Sequence, residues 1–186
     1  MTPRVTIPRS ERVLVLIDFI NPLDFPGAQN LAEPALRAAR ATLRLRDRLD
    51  AERTAVVYAN DNYGVWQSDF HSLVSSCMGK DDISGRIARL LAPRATDLTL
   101  LKPRHSAFYC TPLEILLSEM QARELVLCGL AADICVQLTA ADAFLRGFDV
   151  WVPSDCTAAE SPRAKAAALK YMASILKCDV RSSRSR

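Results

Sequence analysis

Three residues in this sequence have the types and the setting for acyl transfer: Asp18, Lys102 and Cys135. Asp18 follows the apolar run Arg12-Val13-Leu14-Val15-Leu16-Ile17, and Lys102 follows Leu98-Thr99-Leu100-Leu101. Cys135 lies in Gly129-Leu130-Ala131-Ala132-Asp133-Ile134-Cys135-Val136, just past a further apolar run, Glu124 to Cys128. A free cysteine has a pKa near 8.5, so only a few per cent is thiolate at neutral pH. A helix N-terminus and a nearby ammonium both favour the thiolate, and a carboxylate can take its proton. Lysine suits this work better than arginine, because its ammonium is a compact point charge that can also give up a proton. Free backbone N–H groups around Cys135 could stabilise the oxyanion of a tetrahedral intermediate. Taken singly, Asp18 could cap a loop, Lys102 could sit on the surface and Cys135 could pack in a core. Their joint placement after three apolar runs is what points to chemistry.

The elements that would position them alternate regularly. Short continuous apolar runs, as in strands buried on both faces, occur at 12–18, 54–59, 98–101, 124–128 and 148–152, with a short sixth at Cys178-Asp179-Val180. Helical stretches lie between them. Pro34 to about Arg53 carries Leu36, Ala39 and Leu43 along one face. Thr111-Pro112-Leu113-Glu114 combines an N-cap, a proline at the first helical position and a capping-box glutamate, and Ser161-Pro162 repeats the cap before Ala164 to Leu176. Asp81 or Asp82 can cap Ile83 to Leu91, and Gly147 can stop the helix that starts near Asp133. Repeated strand–helix alternation predicts a parallel sheet covered on both faces. In such sheets ligands bind beyond the carboxyl ends of the strands, where the strand order reverses. Asp18, Asn60, Asp61 and Lys102 all stand at those ends.

Composition narrows the function classes. The chain has 186 residues, is 49% hydrophobic and 24% charged, and carries a net charge of +3. One domain is expected, with a core from about 12 to 178 and short flexible Arg-containing ends. Of 24 basic residues 19 are Arg, scattered among acids, without the concentrated basic stripe of a nucleic-acid binder. No apolar run reaches the roughly 18 residues of a membrane span, and the N-terminus has no apolar h-region, so a cytoplasmic protein is expected. The first strand leads into Asp18-Phe19-Ile20-Asn21 without a G-x-G-x-x-G, and neither a phosphate loop nor a G-x-S-x-G elbow is present. With only His71 and His105, zinc sites built on two or three histidines are nearly excluded. The six cysteines contain no C-x-x-C pair, which predicts five packing residues and one nucleophile.

From about Arg12 to Lys177 the sequence resembles the isochorismatase-like cysteine hydrolases. Leu14-Val15-Leu16-Ile17-Asp18-Phe19-Ile20-Asn21 is similar to their first-strand motif, whose Asp is the general base. Leu101-Lys102-Pro103-Arg104-His105-Ser106-Ala107-Phe108 resembles the segment with their catalytic Lys, Gly129 to Val136 the nucleophile segment, and Val152 to Ala159 the segment after the fifth strand. The resemblance implies a three-layer α/β/α fold with a mostly parallel six-stranded sheet of order 3-2-1-4-5-6. It implies a catalytic Asp18–Lys102–Cys135 triad, an oxyanion hole from the backbone of Ala131 and Cys135, and a cis peptide between Leu130 and Ala131. Substrate contacts are expected from Asn21, Asp61, Tyr63, Trp66, Phe70 and His105.

The activity so implied is hydrolysis of a small amide, ureide or carbamoyl compound through a thioester. A vinyl ether hydrolase, or a non-catalytic interaction protein on the same fold, is the alternative; His105 could also serve Cys135 as base. Nicotinamidases of this family hold a metal through an Asp-x-His pattern, but here Tyr63 follows Asp61-Asn62, so no metal or other cofactor is expected. Ala132 stands where many relatives carry Thr. The expected partner is a small molecule, with no nucleic acid or membrane, in a homodimer or homotetramer.

Overall fold

Val13 to Ile17 are all fully buried, which is why this stretch reads as continuously apolar instead of alternating. In the computed structural model they form β1 (Arg12–Ile17), with even-numbered side chains packed on one face and odd-numbered ones on the other. The residues described are 7–67 and 69–186, so Arg4 of the N-terminal Arg-containing end lies outside them. The other strands are β2 (Ala55–Asp61), β3 (Leu98–Lys102), β4 (Glu124–Leu130), β5 (Asp149–Trp151) and β6 (Thr157–Ala158). The helices are α1 (Ala28–Ala51), α2 (Phe70–Met78), α3 (Ile83–Leu90), α4 (Leu113–Met120), α5 (Gln137–Leu145) and α6 (Pro162–Ser174).

The sheet is parallel in the order β3-β2-β1-β4-β5, and β6 pairs with β4. Leu14, Leu16, Tyr58 and Val126 pack with Leu31, Leu36 and Leu45 of α1 and Ile87 of α3. Val13, Val15, Ile17 and Leu127 pack with Leu113 and Leu117 of α4, Ala140 of α5 and Met172 of α6. These are the expected three layers, with an apolar core on each side of the sheet. The order reverses at β1, whose neighbours are β2 and β4, and this opens a crevice at their carboxyl ends.

Several boundaries differ from the sequence expectation, each for a physical reason. The expected strand Cys178–Val180 is a single parallel bridge between Trp151 and Asp179, while Thr157–Ala158 pairs the end of β4 that β5 is too short to reach. Helix α1 begins at Ala28 and carries Pro34 internally; burial of Ala28 and Leu31 extends it past the residue expected to start it. Thr111 Oγ1 accepts from Leu113 N at 3.2 Å, but the glutamate of the expected capping box, Glu114, pairs instead with Arg146 at 2.8 Å. Asp82 and Ser161 cap as expected, accepting from Gly85 N and Ala164 N. Helix α2, capped by Asp69, is an element that the sequence pattern does not announce.

The C-terminal arginines contact the body of the protein. Trp151 Nε1 donates to Arg181 O at 3.0 Å, the Arg186 guanidinium lies 4.9 Å from the Trp151 ring, and Ser183 N donates to Asp155 at 2.6 Å. Of the five cysteines expected to pack, Cys110 is exposed on a residue with φ of 53°, and the other four are buried.

Candidate active site

Each strand of the crevice delivers one functional side chain. Asp18 follows β1 with φ of 52°, a left-handed conformation that Asp tolerates better than most residues and that turns the chain out of the strand. Asp61 and Lys102 end β2 and β3 and are register partners. Beyond β4 the Leu130–Ala131 peptide is cis, and residues Ala132–Val136 form a π-helical turn in which Val136 N donates to Ala131 O at 3.2 Å. This turn carries Cys135 and runs directly into α5. Single π turns of this kind are frequent at functional sites.

The three side chains singled out by type and spacing meet. Lys102 Nζ lies 2.8 Å from Asp18 Oδ2 and 3.6 Å from Cys135 Sγ, with no solvent exposure of its own. It also donates to Arg104 O at 3.2 Å and lies 3.6 Å from Asp61 Oδ2. Asp18 Oδ1 accepts from Asp61 N at 2.7 Å, so both its oxygens are held. His105 Nδ1 is 3.6 Å from Cys135 Sγ, as close as the lysine.

Burial pushes the Asp18 carboxyl above its usual range, against the pull of the Lys102 ammonium. Burial alone would lower the Lys102 pKa, but the charges of Asp18 and Cys135 and the hydrogen bond to Asp18 carry it above its ordinary value. Cys135 is pushed well up by burial first and the Asp18 charge second, with Lys102 opposing. From sequence, a helix end and an ammonium are expected to favour the thiolate; in the folded chain burial and the Asp18 charge outweigh the pull of Lys102 and favour the thiol. A carboxylate, a thiol and an ammonium in contact can pass a proton and expose a nucleophile.

These groups open into a cavity of about 210 Å³. Asp18, Asn21, Asp61, Tyr63, His105, Ala131 and Cys135, all singled out in the sequence, line it. Asn21 is braced there by accepting from Leu23 N at 2.8 Å, and the Tyr63 hydroxyl reaches Ile20 O at 3.4 Å. Trp66 lies instead in an adjoining outer cavity of about 550 Å³, with Arg104 and Cys110. Phe70 reaches neither: it is buried against Tyr58 with ring centroids 5.4 Å apart, because α2 turns it toward the core. Phe25, Leu31, Leu130, Ile134 and Glu160 also line the inner cavity and were not singled out in the sequence. For Glu160 a signal existed, since it directly precedes the Ser161-Pro162 helix start, but nothing local tells that this start faces the crevice.

The residues around Asp61 do not suit a metal bound through an Asp-x-His pattern. Asp61 Oδ1 accepts from Tyr63 N at 2.7 Å, and the phenol replaces an imidazole donor. Among the described residues no three His, Cys, Asp or Glu side chains converge as metal ligands.

Residues 12–182 match the family described as Isochorismatase domain. Over 172 residues the chain is 33% identical to the isochorismatase family protein YaaI of Bacillus subtilis, covering 92% of this chain and 94% of that protein. A stretch of 74 residues is 39% identical to the ureidoacrylate amidohydrolase RutB of Methylorubrum extorquens, covering 40% of this chain and 30% of that one. Among solved structures, nicotinamidase PncA from Bacillus subtilis superimposes with a TM-score of 0.72 at 26% identity, covering 92% of this chain and 99% of its own. N-carbamoylsarcosine amidase from Thermoplasma acidophilum gives 0.70 at 26% identity, covering 93% and 96%.

Proposed function

Since this chain belongs to the isochorismatase family, we propose that it is a cysteine hydrolase that cleaves the C–N bond of a small amide, ureide or carbamoyl compound through a thioester. The observation that carries this reading is the buried Lys102 ammonium, 2.8 Å from Asp18 and 3.6 Å from Cys135 Sγ, two residues that line a cavity. The names of the amidases it resembles in sequence and structure support the same bond type. At about 210 Å³ the cavity suits a small reacting group.

Asp18 takes the thiol proton as Cys135 Sγ attacks the carbonyl carbon, and Lys102 offsets the negative charge left between them. Backbone N–H groups of Ala131 and Cys135 receive the oxyanion. As the tetrahedral intermediate collapses, Asp18 returns the proton to the departing nitrogen, the C–N bond breaks and the acyl group stays on sulfur. A water then gives its proton to Asp18 and its oxygen to the carbonyl carbon, and the thiol is released with the acid or carbamate. No step calls on a metal or cofactor. The same family membership favours a homodimer or homotetramer.

The test is a panel of small primary amides, ureides and carbamoyl compounds, with released ammonia or amine measured for the wild type and Cys135→Ala. Turnover by the wild type alone is expected; equal turnover by Cys135→Ala would falsify the reading. The 3.6 Å contact of His105 with Cys135 keeps one other assignment, in which the imidazole is the base. Under the leading assignment Asp18→Asn loses at least about 100-fold in kcat, the usual scale of a lost general base, and His105→Ala loses far less.

A further inference from the structure

The charges facing the inner cavity are unbalanced. Asp18, Asp61 and Glu160 line it together with His105, and no arginine does; Arg104 belongs to the outer cavity. The Lys102 ammonium below is held between Asp18 at 2.8 Å and Asp61 at 3.6 Å, so its charge is already matched. Glu160 differs from the other two carboxylates in having no ion-pair partner among the described residues. It comes from the turn between β6 and α6, on the far side of the cavity from β2 and Asp61.

The Glu160 carboxylate lies against a glycine. Gly27 precedes α1 in a left-handed conformation, φ 96°, and a Cβ there would fall 2.6 Å from Glu160 Oε2. The missing side chain leaves room for the carboxylate against the first turn of α1, where the helix dipole favours a negative charge. The Glu160 carboxylate is solvent-exposed and forms part of the wall of the cavity that Cys135 also lines.

We propose that Glu160 sets the charge preference of this cavity: it admits small amides that are neutral or carry a protonated nitrogen, and it rejects those carrying a carboxylate. The word amide rests on the function proposed above; the charge preference does not. A carboxylate entering meets Glu160 and Asp61 with no free cation beside it, whereas an ammonium meets an unpaired partner. Glu160 is exposed and solvent screens its charge, so its own share of this difference in association is expected to be about several-fold.

Two measurements read the preference separately. The first compares kcat/KM for butanamide, 4-aminobutanamide and succinamate, which share a chain length and differ in terminal charge. The second compares alkylation of Cys135 by neutral iodoacetamide and anionic iodoacetate, read at the Cys135 peptide by mass spectrometry and referenced to glutathione. That readout needs no turnover and separates Cys135 from the exposed Cys110. In the wild type the iodoacetate-to-iodoacetamide ratio at Cys135 is expected to be about tenfold or more below that of glutathione. Glu160→Gln should recover several-fold of this, Glu160→Lys should recover more and favour succinamate, and added salt should narrow the wild-type gap. A structural role at Gly27 alone would change all reagents and amides alike and leave the ratios in place. A ratio unaltered in both variants overturns the proposal. If no amide is turned over while the alkylation ratio follows residue 160, the hydrolytic reading fails and the charge assignment stands.

Discussion

Cys135, Lys102 and Asp18 form a set in which each residue alters the proton affinity of the others. Asp18 raises the Cys135 pKa through its charge and Lys102 lowers it, while burial sets the high starting point. Changing either neighbour must therefore move the thiol in opposite directions. Asp18→Asn removes the nearby negative charge and should shift the pH midpoint for iodoacetamide alkylation of Cys135 downward. Lys102→Met removes the stabilising cation and should shift it upward, so that alkylation at a fixed pH slows. The midpoints, taken from alkylation rates across alkaline pH, check both signs; shifts in the same direction would refute the coupling. Most of this set was legible, since an acid, a lysine and a cysteine each followed an apolar run. The direction in which the thiol pKa moves was not. It follows from desolvation, which depends on how much of the chain closes over the sulfur.

At the scale of elements, the crevice depends on how closely β1 and β4 approach. Gly129 pairs with Ile17 in that register, with φ of 152°, and a Cβ there would lie 2.1 Å from Ile17 O. The obstacle is backbone, so the strands themselves must shift. Gly129→Ala is expected to cost about 3 kcal/mol or more from clash and left-sided φ together. Gly147→Ala, where φ is 80° but nothing lies within 4 Å, should cost only about 1 kcal/mol. Urea midpoints of the two variants measure the contrast. Helix starts at Asp82 and Ser161 were readable because capping is a local bond between neighbours in sequence. The start of α1 and the existence of α2 were less so. Pro34 is a local signal for a helix start, but the burial of Ala28 and the packing of Leu31 in the cluster with β1, β2 and β4 carry the helix past it.

Across the whole molecule, two apolar cores sandwich one sheet, and no helix among the described residues is long and apolar enough to cross a membrane. The C-terminal segment closes one edge. Asp179 N donates to Val150 O at 2.9 Å and Val152 N to Asp179 O at 2.8 Å, continuing the ladder beyond β5. Together with the Arg181 and Arg186 contacts this leaves Trp151 only 2% exposed. Removing residues 178–186 should red-shift the Trp151 emission and lower stability by about 2 kcal/mol, the scale of one large side chain uncovered. Trp66, 78% exposed, contributes emission that is already that of a wet indole, so a shift on truncation reports Trp151. An unshifted spectrum would show that the segment does not cover the ring.

By itself the sequence determined the alternation of strands and helices, the placement of Asp18, Lys102 and Cys135 at strand ends, and two of the helix caps. These depend on side-chain periodicity and on bonds between residues close in the chain. Only the tertiary structure decided that burial pushes the Cys135 pKa up, that Phe70 packs in the core, that the C-terminal arginines contact Trp151, and that Glu160 faces the cavity. Each of these depends on groups far apart in sequence and on the dielectric they create when brought together. A linear pattern does not carry that information, because the same local residues would behave differently under a different neighbour.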